Sequence, residues 1–89
     1  MPERSPELAT RVEVITRADC HLCDVTKADL TRLGIPFVER DVDADPALHE
    51  EHGDFVPVVL VDGRQVAWGR VDPDKVVRAV RRGGRWRPW

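Results

Sequence analysis

Two cysteines, Cys20 and Cys23, are separated by two residues in the stretch ADCHLCDVTK, and the chain contains no other cysteine. Two thiols at this spacing suit reversible disulfide exchange, in which one thiolate attacks a disulfide and the second thiol resolves the mixed disulfide. A purely structural disulfide is disfavoured, because closing so short a loop constrains the unfolded chain very little. The pair therefore predicts redox chemistry.

The surroundings of the pair would tune its thiols. If a helix begins near Cys20, its free N–H groups and its dipole favour a thiolate on Cys20, while Cys23 lies one turn further in and is partly covered. Arg17 and a protonated His21 also favour the thiolate, whereas the aspartates that flank the pair oppose it. These charges alone do not decide whether the pKa of Cys20 is raised or lowered. His21 could equally be an exposed loop residue with no effect on the thiol. Our hypothesis is that the pKa of Cys20 lies below the value of about 8.5 for a free cysteine.

Metal binding is an alternative interpretation of the cysteines. Cys20, Cys23, His49 and His52 form a C-x2-C-x25-H-x2-H pattern, and four nitrogen and sulfur ligands would suit tetrahedral zinc. However, the gap between the two pairs is longer than the usual ~12–15 residues. We therefore favour His49 and His52 as surface residues of a helix and expect no metal site.

Composition limits the remaining classes of function. The 89 residues suit a single domain, and the net charge of −2 gives no strong overall field for nucleic acid or a membrane surface. No apolar run approaches the ~20 residues that span a bilayer. The polar N-terminus lacks the apolar core of a signal peptide, so we expect a cytoplasmic protein, in a compartment where thiols are kept reduced.

Strand and helix signals alternate along the chain and predict the order βαβαββα. The expected strands cover residues 12–16, 36–43, 56–63 and 64–68, and the expected helices cover residues 21–33, 45–53 and 72–82. Asp-Pro pairs at 45–46 and 72–73 are typical helix starts, and an Asp-Gly turn links the last two strands. A helical connection makes the first two strands parallel, and a hairpin makes the last two antiparallel. The pattern predicts an α/β domain with a four-stranded mixed sheet flanked by helices.

We expect this domain to occupy residues 11–82, after a flexible lead-in over residues 1–10. Residues 83–89, GGRWRPW, resemble a tail that is basic and aromatic. Such a tail could stack on nucleic acid or lie at a membrane surface, but short termini are usually unstructured, which is the interpretation we favour.

Several segments together resemble the glutaredoxin-like branch of the thioredoxin superfamily. They are CHLC after the first strand, FVP (Phe55–Pro57) before an apolar strand, VDGRQVAWG, FVERDVDADP, and Asp72 at the start of the last helix. The resemblance covers about residues 11–82 and implies a thioredoxin fold.

The resemblance also implies roles for individual residues. Cys20 would be the attacking thiol and Cys23 the resolving thiol. Pro57 would follow a cis peptide bond and pack against the disulfide, and the backbone of Val56 would pair with an extended substrate such as glutathione. The remaining substrate-binding positions would be Arg17, His21, Gly69 and Asp72, with Arg17 on one glutathione carboxylate and Asp72, with the turn before it, at the other end.

The chain departs from this family's usual pattern at four places, one of which is the different length of the turn that leads to Asp72. His21 and Leu22 replace Pro-Tyr between the cysteines, Phe55 replaces a threonine, and Trp68 replaces the first glycine of a Gly-Gly pair. A tryptophan ring where glycine permits close approach could block glutathione. The departures also leave room for a ribonucleotide-reductase type redoxin, which has a glutaredoxin-like fold but receives electrons from thioredoxin reductase.

The sequence as a whole predicts a dithiol–disulfide oxidoreductase that reduces protein or glutathione mixed disulfides. We expect a monomer with no bound cofactor, because electrons pass through the thiols, with glutathione or a thioredoxin-reductase system as the electron donor. Its partners would be disulfide-containing proteins, and glutathione where the site admits it, with neither nucleic acid nor a membrane. The remaining alternative is a non-catalytic interaction domain that keeps the same fold.

Overall fold

The structure is a computed structural model that describes residues 11–53 and 55–85, the last three by their backbone alone. Its elements follow the predicted βαβαββα order. The strands are β1 (Val12–Thr16), β2 (Val38–Asp41), β3 (Val58–Val61) and β4 (Arg64–Trp68), and the helices are α1 (His21–Arg32), α2 (Pro46–His52) and α3 (Pro73–Arg85). A short 3-10 helix, Val42–Ala44, separates β2 from α2.

The four strands form one mixed sheet in the order β2-β1-β3-β4. Strands β1 and β2 are parallel, and β3 is antiparallel to both β1 and β4, which confirms the predicted fold class. Ile15 of β1 lies opposite Val58 of β3, and Val58 lies opposite Trp68 of β4. The ends of β1 and β4 and the start of β3 therefore meet at one end of the sheet.

Each face of the sheet packs against helices. Because successive side chains of a strand point to opposite faces, Val14 and Ile15 belong to different clusters. Val14 packs with Leu30 of α1 and Val76 of α3, whereas Ile15 packs with Val42 and Val58 and is partly covered by α2. No helix within residues 11–53 and 55–85 has the length and apolarity needed to cross a membrane.

Several element boundaries differ from the predicted ones by one to three residues, and two of the differences, at the end of β2 and the end of α3, have a clear physical cause. The second strand is shorter and gives way to the 3-10 helix, because the Asp41 carboxylate accepts a hydrogen bond from the Asp43 N–H (2.9 Å) and closes a local turn. Helix α3 continues through Gly83 and Gly84 to Arg85, three residues beyond its predicted end. A formed helix gains one backbone hydrogen bond for each residue added, which favours this extension over the cost of glycine. The predicted lead-in and residues 86–89 of the predicted tail lie outside the described residues.

Candidate active site

The turn between β1 and α1 carries both cysteines. Strand β1 ends at Thr16, and Asp19 takes a positive φ of 60° that reverses the chain before the helix. Cys20 is the N-cap of α1, with extended backbone angles, and its carbonyl accepts the first helical hydrogen bond from the Asp24 N–H (3.1 Å). The predicted helix start is therefore confirmed, and Cys20 lies where a helix leaves its N–H groups without backbone partners.

The two thiols are joined as a disulfide, with a Cα–Cα distance of 5.2 Å. Cys23 is 1% exposed, whereas Cys20 is only partly buried. The Cys23 N–H donates a hydrogen bond to the Cys20 Sγ over 3.2 Å. Cys20 is thus the sulfur that a large partner can approach, and a backbone donor already points at it.

Val56 and Pro57 lie across from the end of β1. Because Ile15 pairs with Val58, the sheet register places Pro57 level with Thr16, on the strand beside the one that leads to Cys20. The Val56–Pro57 peptide bond is cis, as the resemblance implied, and Pro57 is fully buried. The Pro57 carbonyl accepts a hydrogen bond from the Gly69 N–H (2.8 Å), which extends the β3–β4 pairing beyond Trp68.

Gly69 has a φ of +70°, a conformation that a residue with a side chain rarely adopts. The chain can therefore turn sharply after β4 and bring Asp72 to the start of α3. The Asp72 carboxylate accepts a hydrogen bond from the Asp74 N–H (3.0 Å), so it caps this helix. Binding of a substrate by Gly69 and Asp72 stays a prediction.

Arg17 and His21 lie close to Cys20 in the sequence, Arg17 just after β1 and His21 at the start of α1. Arg17 forms an ion pair with Asp43 in the 3-10 helix, with 3.3 Å between Nε and Oδ2. This partner was not predicted, because it depends on a turn that the sequence pattern did not show. His21 is the first residue of α1 and is exposed. The substrate-binding roles of Arg17, His21 and Val56 likewise stay predictions.

A polar cluster of Thr16, Glu39 and Lys27 supports the same end of the sheet. The buried Thr16 hydroxyl donates to the Glu39 carboxylate (2.8 Å), and the Lys27 ammonium donates to the same oxygen (3.0 Å). These two hydrogen bonds, with that from Lys27 the larger cause, hold the pKa of Glu39 below its ordinary value. The cluster ties β1, β2 and α1 together at the point where the chain turns towards Cys20.

Phe55 and Trp68 form an aromatic pair at this end of the sheet. Their ring centroids are 5.1 Å apart and their planes meet at 80°, an edge-to-face contact. Both remain about half exposed, at 51% and 54%. The hairpin register could have suggested this pair, since Trp68 lies opposite Val58, three residues after Phe55.

The alternative zinc site of Cys20, Cys23, His49 and His52 is not formed. Across the described part of the chain, no group of three or more His, Cys, Asp or Glu side chains converges in a way that could hold a metal ion. The two cysteines bond to each other, and the two histidines lie on α2, where His52 Nε2 approaches Glu51 Oε1 (3.6 Å). The structure therefore does not bring the two histidines together with the two cysteines.

Comparison with known families matches residues 11–81 to the family described as Glutaredoxin-like domain (DUF836). An uncharacterized protein of Mycobacterium tuberculosis (strain ATCC 25618 / H37Rv) is 36% identical over 75 residues, which cover 74% of this chain and 77% of the relative. An uncharacterized protein of Mycobacterium bovis is similar to the same extent. The matched family spans all the elements that position the cysteines.

Solved structures give the same architecture. The thioredoxin-like protein BC3987 superposes with a TM-score of 0.61 and 30% identity, over 76% of this chain and 97% of its own. A wheat glutaredoxin superposes with a TM-score of 0.63 and 25% identity, over 83% of this chain and 82% of its own. These neighbours share the sheet and helix arrangement described above.

Proposed function

This chain belongs to the family of glutaredoxin-like domains within the thioredoxin superfamily, and from that membership we propose that it is a dithiol–disulfide oxidoreductase. Its substrates would be protein disulfides or mixed disulfides with glutathione. The fold and the Cys20–Cys23 pair at disulfide distance support a thioredoxin-type redox role. One observation carries the specific assignment: Cys20 is partly exposed at the start of α1, while its partner Cys23 is buried behind it.

In the proposed reaction, the Cys20 thiolate attacks one sulfur of the target disulfide. A Cys20–target bond forms, the target S–S bond breaks, and the second target sulfur leaves as a thiolate that takes a proton from solvent. Cys23 then loses its proton and attacks the Cys20 sulfur, which releases the first target sulfur as a thiolate. Two electrons pass from the dithiol to the target, and the chain is left with the Cys20–Cys23 disulfide.

The surroundings of Cys20 support its role as the attacking thiol. The Cys23 N–H that donates to Cys20 Sγ would stabilise negative charge on that sulfur in the reduced protein, as would the start of α1. We therefore expect the pKa of Cys20 to lie below about 8.5. Absorbance of the thiolate near 240 nm, titrated in the reduced protein and in Cys20→Ser, tests this; a midpoint at or above that value would contradict the expectation.

Two coupled assays test the function itself and identify its electron donor. In one, the oxidised protein is mixed with glutathione, glutathione reductase and NADPH; in the other, with thioredoxin reductase and NADPH. Consumption of NADPH only with glutathione would indicate a glutaredoxin, and consumption only with thioredoxin reductase would indicate a redoxin. If neither system reduces the disulfide, the oxidoreductase assignment is wrong, and an interaction domain becomes the better interpretation.

Single-cysteine variants distinguish the two thiols. Cys23→Ser should still attack a peptide disulfide but should accumulate the covalent Cys20–peptide adduct, which mass spectrometry detects as an added peptide mass. Cys20→Ser is the matched control, and it should form no adduct on the same timescale because its remaining thiol is buried. Equal adduct formation in the two variants would contradict the assigned roles.

A further inference from the structure

The charged residues of this chain are divided unevenly between its two parts. Residues 11–62 contain twelve acidic and five basic residues, whereas residues 63–85 contain two acidic and seven basic residues. The second part comprises β4 and α3. Strand β4 is an edge strand of the sheet, and α3 packs on β3 and β4, so the two elements lie side by side. A nearly neutral chain therefore carries a basic face along one edge of its sheet.

The basic residues of the two parts also differ in their contacts. Between positions 11 and 40, every arginine and lysine forms an ion pair with a carboxylate. From position 64 to position 82, six basic residues are exposed, and none has an ion-pair partner among the described residues. They are Arg64, Arg70, Lys75, Arg78, Arg81 and Arg82. Their charge is available to a partner.

A cleft of about 330 Å³ lies on this face. Residues 65–68 of β4 line it together with Arg70, Asp72 and Lys75. Strand β4 is the edge strand of the sheet, so the cleft borders a strand with a free edge, and a bulge that leaves Val66 without a partner on β3 interrupts the β3–β4 pairing there. That edge offers unpaired backbone groups, to which an extended peptide can add as a further strand. Of the charged lining residues, Arg70 and Lys75 are cationic, and Asp72, whose carboxylate accepts the Asp74 N–H at the start of α3, is anionic.

The cleft leads towards the candidate redox site. Trp68 lines its end and contacts Phe55, and Trp68 lies opposite Val58, which directly follows Pro57. A strand added beyond β4 would be three strand spacings from β1, or about 14 Å. At about 3.3 Å per extended residue, a target segment on β4 would begin four to five residues from the cysteine that Cys20 attacks.

We infer that the free edge of β4, with Arg70 and Lys75 in the cleft and Arg78 one helical turn after Lys75 on α3, binds an extended acidic segment of the protein whose disulfide this chain reduces. Main-chain hydrogen bonds to β4 would hold the segment, its carboxylates would meet the unpaired cations, and the Phe55–Trp68 pair would contact the residues that lead to the target cysteine. The inference rests on the proposed function. It names a class of substrate: proteins in which an acidic stretch follows the disulfide-bonded cysteine after about four to five residues.

Three peptide disulfides test the preference. Each is a homodimer of a peptide with one cysteine, a four-residue Gly-Ser spacer and four residues of Glu, Gln or Lys. The rate at which the reduced protein reduces each peptide is divided by the rate with dithiothreitol, which corrects for intrinsic reactivity. We expect the Glu peptide to react about tenfold faster than the Lys peptide at 20 mM salt, with the ratio approaching one at 500 mM.

Charge reversal locates the effect. Lys75→Glu with Arg78→Glu should abolish the Glu-over-Lys ratio. The matched control, Arg32→Glu with Arg40→Glu, changes the net charge equally at ion-paired positions of α1 and β2 and should retain most of the ratio. Circular dichroism verifies that both variants are folded.

The outcomes separate this inference from the proposed function. If the Gln peptide is not reduced at all, the oxidoreductase proposal fails. If the Gln peptide is reduced but the Glu and Lys peptides react alike, or if both charge-reversed variants lose the ratio equally, the docking inference is wrong while the function stands. Fluorescence anisotropy of a labelled 20-nucleotide single-stranded DNA tests the remaining alternative. If the protein binds this DNA in a salt-sensitive way, loses that binding in the Lys75→Glu, Arg78→Glu variant and shows no peptide preference, this face binds nucleic acid instead.

Discussion

Replacing Thr16 by valine should destabilise the fold near neutral pH, and this destabilisation should become smaller in acid. The Thr16 hydroxyl is buried at the end of β1, four residues before Cys20, and donates to the Glu39 carboxylate over 2.8 Å. Glu39 retains its second donor, Lys27, in this variant. The substitution therefore removes one hydrogen bond from the polar cluster while it keeps the size and β-branching of the side chain.

Two terms set the magnitude. A hydrogen bond to a charged acceptor contributes about 1.5–3 kcal/mol, and the lower end applies because the Glu39 side chain is 45% exposed and water can replace the hydroxyl. The added methyl group gains up to about 0.8 kcal/mol at a buried position. The hydrogen bond outweighs the methyl group, so we expect a net loss of about 1 kcal/mol at pH 7.

The sign of the pH dependence follows from Glu39. Because its folded-state pKa is lowered from the ordinary value of 4.5, its contribution to stability is present above that value and is lost as pH falls through the folded-state pKa. Without the Thr16 hydroxyl, the pKa of Glu39 moves back towards its ordinary value. The variant should therefore lose less stability than the parent as pH falls through the folded-state pKa of Glu39, and the difference between the two should narrow.

Urea unfolding of the oxidised proteins, followed by far-ultraviolet circular dichroism, measures both effects. With a slope of about 1 kcal/mol per molar urea, the midpoint should fall by about 1 M at pH 7. Thr31→Val, at an exposed position of α1, is the matched control and should change stability by less than about 0.5 kcal/mol. The reasoning is refuted if Thr16→Val matches this control at pH 7, or if the cost of Thr16→Val does not decrease at all between pH 7 and pH 3.

Other substitutions test the packing and the helix starts. Leu30→Ala should lower the free energy of unfolding by about 3 kcal/mol, because Leu30 is fully buried, whereas Leu33→Ala, at a side chain 43% exposed, should cost less than about 1 kcal/mol; equal thermal shifts would contradict the assigned core. Lys27→Met should cost less than about 1 kcal/mol at low salt, and its cost should shrink in 1 M NaCl because the ion pair with Glu39 is screened; a cost that persists unchanged in salt would show that packing of the Lys27 chain dominates. Asp45→Ala should cost about 1 kcal/mol in urea unfolding because Asp45 caps α2, and Asp45→Asn should retain most of that stability; equal losses in the two variants would show that the cap does not hold the helix.

Most of the fold could be predicted because its signals are local. The Asp-Pro pairs that open α2 and α3, and the Asp-Gly turn between β3 and β4, each combine a polar cap or turn residue with a restricted backbone. The end of β2 could not be predicted in the same way. Its alternating pattern continues through Val42, and only the hydrogen bond from the Asp43 N–H to Asp41 shows where the strand stops.

The residues of the candidate site also fall into those that local sequence signals predict and those that depend on distant contacts. Cys20, Cys23 and Pro57 could be located from motif spacing and resemblance, since each depends on a few residues nearby. The partners of Arg17 and Thr16 could not, because they come from other elements that only sheet register and helix packing bring near. The basic residues of β4 and α3 that have no ion-pair partner in the described part of the chain were equally hidden, since charge composition does not reveal which side chains already have partners.

Two features bear on whether glutathione can enter, and they differ in strength. Arg17, which the resemblance assigns to a glutathione carboxylate, is held by Asp43. That pair is exposed, however, and an exposed ion pair is worth at most about 1 kcal/mol, or a factor of about five in affinity. Asp43 can therefore be displaced at little cost.

The Trp68 ring is different, because it occupies volume and is held against Phe55, so an incoming ligand must move it or pass beside it. Activity with glutathione in the coupled assay would therefore report mainly on the position of this ring and only weakly on the competition for Arg17.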